Sequence, residues 1–240
     1  MSAVFKREFK SYFTSPLGWI VMFFFLISAG VSFAMVFASG SKNTSSIFVT
    51  LFAFSLVLIP ILTMRTFSED KRLKTDQITY TAPVKLTSVV MGKFFAAFMV
   101  YLISISITVV FQIIIAFFIT PDWTVFLGCL LAVILSGSAL VAIGMFISSL
   151  TESMLISAVL SLAASVILVA PSLLSMIIQL VAQSASSTFI AQVVEWVSFL
   201  SRFTAFASGQ LEYSNIVFFI SFTVVFLFLS VRMLDRKRWA

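Results

Sequence analysis

"TMRTFSEDKRLKTDQITYTAPV", residues 63–84, gathers Arg65, Glu69, Asp70, Lys71, Arg72, Lys74 and Asp76 in one short stretch of an otherwise apolar chain. Of 240 residues, 61% are hydrophobic and 10% charged, against about 45–50% and about 25% in a soluble globular domain. So little polar surface cannot cover a water-soluble globule, and the expected solvent is a bilayer. A block of charge must then lie outside the hydrocarbon core. Its place among the apolar runs shows where the chain leaves the membrane.

Working outward from that block, apolar runs predict six spans at 17–38, 47–64, 94–119, 125–147, 154–182 and 216–233. The first, at about 1.5 Å per residue, reaches about 33 Å, enough for a core of about 30 Å. It exceeds the apolar segment of a signal peptide and is read as a retained anchor. Pro171 is expected to end or kink the fifth span. Ahead of the first, residues 1–16 place Phe5, Phe9, Tyr12 and Phe13 on one arc, with Arg7 and Lys10 pointing away. That pattern predicts a basic interfacial helix, broken by Pro16 and Gly18. Residues 183–213 run from "QSASSTF" into "IAQVVEWVSFLSRFTAF", with Trp196 beside Glu195 and Arg202. They read as an external amphipathic segment, interfacial or partly re-entrant. The expected fold is an all-α polytopic membrane protein in one domain, 1–240, with six transmembrane helices, an N-terminal interfacial helix and an external segment between helices five and six.

Charge asymmetry orients it. Lys6, Arg7 and Lys10 precede the first span. Arg65, Lys71, Arg72, Lys74, Lys85 and Lys93 fall in the loop 65–93. Arg232, Arg236, Lys237 and Arg238 lie at the tail. Only Lys42 and Arg202 remain for the other side, so both termini and the charged loop are expected in the cytoplasm. A seventh crossing would place the basic tail outside and is rejected on that ground. The net charge of +6 is thus a topology signal, with no nucleic-acid partner implied.

Several chemistries are disfavoured. With no histidine, the usual general base and the commonest metal ligand are missing. Cys129, the one cysteine, sits in an apolar run and reads as a small core residue. At mid-depth the spans offer only Gln112, Gln179 and scattered hydroxyls, without the ionisable group that ion-coupled carriers keep there. "GSK" at 40–42 and "GK" at 92–93 lack the spacing of a phosphate-binding loop. Uphill work would therefore draw its energy from a partner. Ser136, Gly137, Ser138, Ala139 and Gly144 permit close helix approach, either within the chain or at a subunit interface or conduit wall. The charged loop itself reads two ways: as a mixed-sign helix for a protein partner, or as a solvated loop obeying the positive-inside rule.

"LIPILTMRTFSEDKRLKTDQITYTAPVKLTSVVMGKFFA" (58–96) resembles the second span and cytoplasmic loop of ABC-2 type transporter permeases, closest to the gliding-motility-type subfamily. Thr63, Met64, Arg65, Glu69, Thr75, Thr81, Pro83, Gly92 and Lys93 match the pattern. Lys74 stands where a glycine is common, and Gln77 where a glutamate is usual. "AIGMFISSLTES" (142–153) and "SFLSRFTAFASGQLEYSNIVFFISFTVVFLFLSVRMLDRKRW" (198–239) are similar to further segments of the family.

The resemblance implies the membrane half of an ATP-binding cassette exporter in a bacterial cytoplasmic membrane. It would pair with a second permease, alike or different, and with cytoplasmic ATPase subunits that hold the ATP and magnesium. This chain would need no cofactor and no nucleotide site of its own. Its coupling helix, around 66–82, would contact the ATPase through Arg65, Phe67, Ser68, Glu69, Asp70, Lys71, Arg72, Thr75, Asp76 and Gln77. Ser149, Thr151 and Glu152, in the turn at 148–153, would make secondary contacts, as would the N-terminal helix. The alternative is a permease-like subunit that passes ATP-driven motion to an external machine or sensor without export. The resemblance also allows accessory membrane or external subunits, and it leaves the substrate open.

Overall fold

The computed structural model describes residues 2–40, 42, 44–74, 86–118, 122–181, 198–207 and 212–239, with the backbone alone for 173–181 and 237–239. Among them every regular element is a helix: α1 (Ser2–Thr14), α2 (Pro16–Ser39), α3 (Ser45–Thr63), α4 (Arg65–Arg72), α5 (Leu86–Phe118), α6 (Trp123–Leu150), α7 (Met154–Val181), α8 (Phe199–Ala207) and α9 (Tyr213–Trp239). Six stretches are long and apolar enough to span a membrane: Pro16–Ser39, Ser45–Arg72, Leu86–Phe118, Trp123–Leu150, Met154–Ser172 and Tyr213–Arg236. Their outward faces carry large apolar side chains such as Phe23, Phe117, Val159 and Val217, each at least 60% exposed. Such a surface suits lipid and would aggregate in water. The chain is an all-helical, multi-pass membrane protein.

The core forms around α6, which packs against α3, α7, α8 and α9. Its small residues make this possible. A Cβ on Gly144 would overlap the Thr63 hydroxyl of α3, and one on Gly137 would overlap the Tyr101 ring of α5. The Tyr101 hydroxyl donates to the Val133 carbonyl at 3.0 Å and lies 3.2 Å from Ser55 Oγ. Ser138 Oγ meets Thr223 Oγ1 of α9 at 3.2 Å. The small residues of 136–144 thus serve helix packing inside one chain. The phenylalanines fill the remaining space: Phe33 stacks on Phe111 at 4.7 Å, and Phe52 on Phe203 of α8 at 4.5 Å.

Two prolines lie inside helices. Pro60 of α3 cannot donate to the Leu56 carbonyl, and Ser165 of α7 donates to it instead at 2.8 Å. The freed acceptor is satisfied from a neighbouring helix, as a bilayer interior requires. Pro171 does not end α7, which continues to Val181.

The third long helix begins at Leu86 and not near 94, and its 33 residues reach about 50 Å, well beyond the hydrocarbon core. The extra turns carry Lys93 into the packed region, where partners neutralise it. Of the segment 183–213, only 198–207 and 212–213 are described. There α8 buries Phe199, Phe203 and Phe206, and Arg202 donates to Asn215 Oδ1 at 2.8 Å above the Phe218 ring. Partial burial among apolar groups lowers the Arg202 pKa, and Glu212 opposes the shift.

Candidate functional site

The charged stretch folds as α4, eight residues that carry α3 onward after a single turn residue, Met64. Met64 offers no side-chain cap to the new helix. Ser148, at the end of α6, supplies one from across the bundle. Its hydroxyl accepts from the backbone N–H of Phe67 at 3.0 Å and of Ser68 at 3.1 Å, and donates to the Met64 carbonyl at 3.1 Å. The Ser68 hydroxyl adds a contact of 3.0 Å to the same oxygen. An N-terminus buried without such partners would be costly.

Three cations then fasten α4 to three neighbouring helices. Lys93 of α5 is almost fully enclosed, its side chain 3% exposed. Its ammonium reaches Glu8 Oε1 of α1 at 3.1 Å, Asp70 Oδ2 of α4 at 2.8 Å and the Thr66 carbonyl at 2.6 Å. Three donors meet three acceptors, so the ammonium is saturated. The Phe67 ring lies 5.3 Å below it. Arg65 pairs with Glu69 at 2.8 Å and spends its other nitrogens on α1, on Ser15 Oγ at 2.6 Å and Ser11 Oγ at 2.9 Å. Lys71 donates to the carbonyls of Ser149 and Thr151, at the C-terminal end of α6, where the helix dipole favours a cation.

The N-terminal helix completes the cluster. Tyr12, wholly buried, donates to the Leu62 carbonyl at 3.2 Å, and the Arg65 guanidinium lies 5.6 Å from its ring. Burial drives the Tyr12 phenol well above its ordinary pKa, with Glu8 adding to the shift and Arg65 opposing it. Arg7 bonds Glu8 at 2.8 Å, and that bond raises the guanidinium pKa against a smaller desolvation effect.

The proposed contact residues thus separate by direction. Thr66, Phe67 and Ser68 are buried, and Arg65, Glu69, Asp70 and Lys71 turn toward their own chain with partial exposure. Arg72, Leu73 and Lys74 are exposed, with Leu73 at 59%. In the neighbouring turn Ser149 is buried, Thr151 half-buried and Glu152 exposed. Lys74 adopts φ 57, the left-handed region, directly after the cap of α4. Thr75, Asp76, Gln77, Thr81, Pro83 and Lys85 lie outside the described residues.

Compared with known proteins, the chain matches no family model and no curated sequence. Among the described residues no group of three or more metal-ligating side chains occurs. A groove of about 380 Å³ between α2 and α3, lined by Phe24, Ala53, Phe54, Val57, Leu58 and Ile61, is almost wholly apolar.

Sequence reasoning missed Glu8, Ser11, Ser15 and Lys93 as members of the cluster, and it included Ser148 only as the start of the contact turn 148–153, without its role at the end of α4. One signal was present: Glu8, Ser11, Tyr12 and Ser15 recur at i, i+3, i+4 and i+7, a second stripe beside the phenylalanines. Nothing local marks that role of Ser148, because its partners are about eighty positions away.

Proposed function

We propose that this chain is the permease subunit of an ABC-2-type transporter, an exporter driven by a separate cytoplasmic ATPase. The observation that carries the proposal is the two-sided character of α4. Its inner side is tied to α1, α5 and α6 by Arg65, Asp70, Lys71 and Ser68. Its C-terminal residue Arg72 and the two residues that follow it, Leu73 and Lys74, are exposed, as is Glu152 of the adjoining turn. A rod gripped by three helices and open at its C-terminal end suits transmission of force from a partner. The mixed charges around Leu73 would set register on that partner.

On this reading both termini and α4 face the cytoplasm of a bacterial cell, and the chain works as a homodimer or heterodimer. ATP and magnesium belong to the ATPase, whose closure tilts the long helices through differential contacts in two states. The apolar faces suit a lipid-like or amphipathic cargo.

The test is co-purification with an ABC ATPase sought in the gene adjacent to this one, comparing the parent with the double variant Arg72→Glu/Lys74→Glu. The expected result is lost association, with expression and melting temperature unchanged. Normal association would remove α4 as the contact. Separately, Lys74→Cys should react with a membrane-impermeant maleimide only in inverted vesicles; labelling from the periplasmic side alone would overturn the topology.

A further inference from the structure

The stripe Glu8, Ser11, Tyr12 and Ser15 ties α1 along its length. Glu8 accepts from Lys93, Ser11 and Ser15 accept from Arg65, and Tyr12 donates to the Leu62 carbonyl of α3. The corner from α1 into α2 is equally tight. Trp19 Nε1 donates to the Phe13 carbonyl at 2.9 Å, and Ser15 Oγ donates to the Tyr12 carbonyl at 3.3 Å. A Cβ on Gly18 would overlap the Tyr12 carbonyl oxygen, so this approach needs glycine.

Lys93 occupies the centre of this arrangement while belonging to neither α1 nor α4. Sliding α1 relative to α4 would pull Glu8 or Asp70 off the enclosed Lys93 ammonium, leave Glu8 only the exposed Arg7, and leave a buried cation short of an acceptor. Joint movement of α1, α4 and the start of α5 keeps every partner of Lys93. We infer that Lys93 is a positioning residue that, beside the direct bonds of Arg65 to Ser11 and Ser15, locks α1, α4 and the start of α5 into one rigid body, so that a turn of α4 carries α1 and, through the Ser15–Pro16 corner, the long helix α2. This rests on the reading of α4 as the element an ATPase moves, and it assigns to that element a second arm.

Two spin-label pairs test it in full-length protein in lipid nanodiscs. Cys129 is buried, so labels go to introduced thiols. The first pair, Lys10→Cys with Arg72→Cys, reports α1 against α4 in the permease alone. A narrow distance distribution is expected in the parent, and at least a doubling of its width in Lys93→Met. The second pair, Lys10→Cys with Arg236→Cys, reports α1 against the end of α9 in the permease–ATPase complex. A nucleotide-dependent shift is expected in the parent and its loss in Lys93→Met, with the ATPase still bound.

Glu8→Gln keeps an acceptor but removes the charge; it carries the same expectation should Lys93→Met fail to insert. Arg7→Gln, on the exposed side of Glu8, should change neither pair. Unchanged widths in both Lys93→Met and Glu8→Gln would overturn the inference. Broadening of the first pair, with no nucleotide response of the second pair in the parent, would leave the latch standing and overturn the ATP-driven reading instead.

Discussion

Replacing Ser148 with alanine removes one oxygen and, with it, the junction of α4 with α6. That oxygen accepts from two backbone N–H groups, Phe67 and Ser68, and donates to the Met64 carbonyl, all at 3.0–3.1 Å in a region closed to solvent. Loss of a helix cap costs about 0.5–2 kcal/mol, and a buried donor left without its acceptor about 1–3 kcal/mol. Taken together, Ser148→Ala should destabilise by about 2–4 kcal/mol, a fall in melting temperature of about 4–16 °C for a chain of this length. The adjacent serine is the control. Ser149 Oγ donates only back to the Phe146 carbonyl of its own helix at 2.6 Å, and such bonds add little. Ser149→Ala should therefore stay within about 0.5 kcal/mol of the parent. Thermal unfolding by tryptophan fluorescence in nanodiscs measures both. Equal melting temperatures for the two variants would refute the account of Ser148 as the cap of α4.

Other substitutions probe the packing. Gly144→Ala should cost about 1–3 kcal/mol, because its Cβ enters the space of Thr63, and the double variant with Thr63→Ala should recover most of the loss in a melting experiment. Gln112 is buried in α5, and neither amide atom has a partner among the described residues. Gln112→Leu should raise stability by about 1–2 kcal/mol; a lower melting temperature would show that the amide is satisfied in the folded protein. Lys74→Gly should stabilise by about 0.5–1 kcal/mol by relieving a left-handed backbone, read as a higher melting temperature with unchanged fluorescence.

The six long helices were legible because a bilayer imposes one demand on every crossing, an uninterrupted apolar length, and each run from 17–38 to 216–233 meets it. Their ends were less so. Lys93 reads as loop when judged alone, yet Glu8 and Asp70 let it enter a helix that begins at Leu86. Charge also misled on direction. Arg65, Asp70 and Lys71 look like surface residues in a polar loop, but their partners are Ser11 and Ser15, Lys93, and the carbonyls of Ser149 and Thr151. Those pairings join segments far apart in sequence, and no local pattern encodes them. Lys74 is the opposite case. Its departure from a common glycine was visible in the sequence, and its backbone occupies the conformation glycine favours.

The side chains that hold α4 in place point inward, whereas the side chains of Arg72, Leu73, Lys74 and Glu152 make no hydrogen bond or ion pair among the described residues. Fastening and recognition are thus written in different letters of the same short word. An engineer could respell the outer letters to suit a foreign motor and leave the mounting untouched, which makes this rod a natural socket for exchangeable drives.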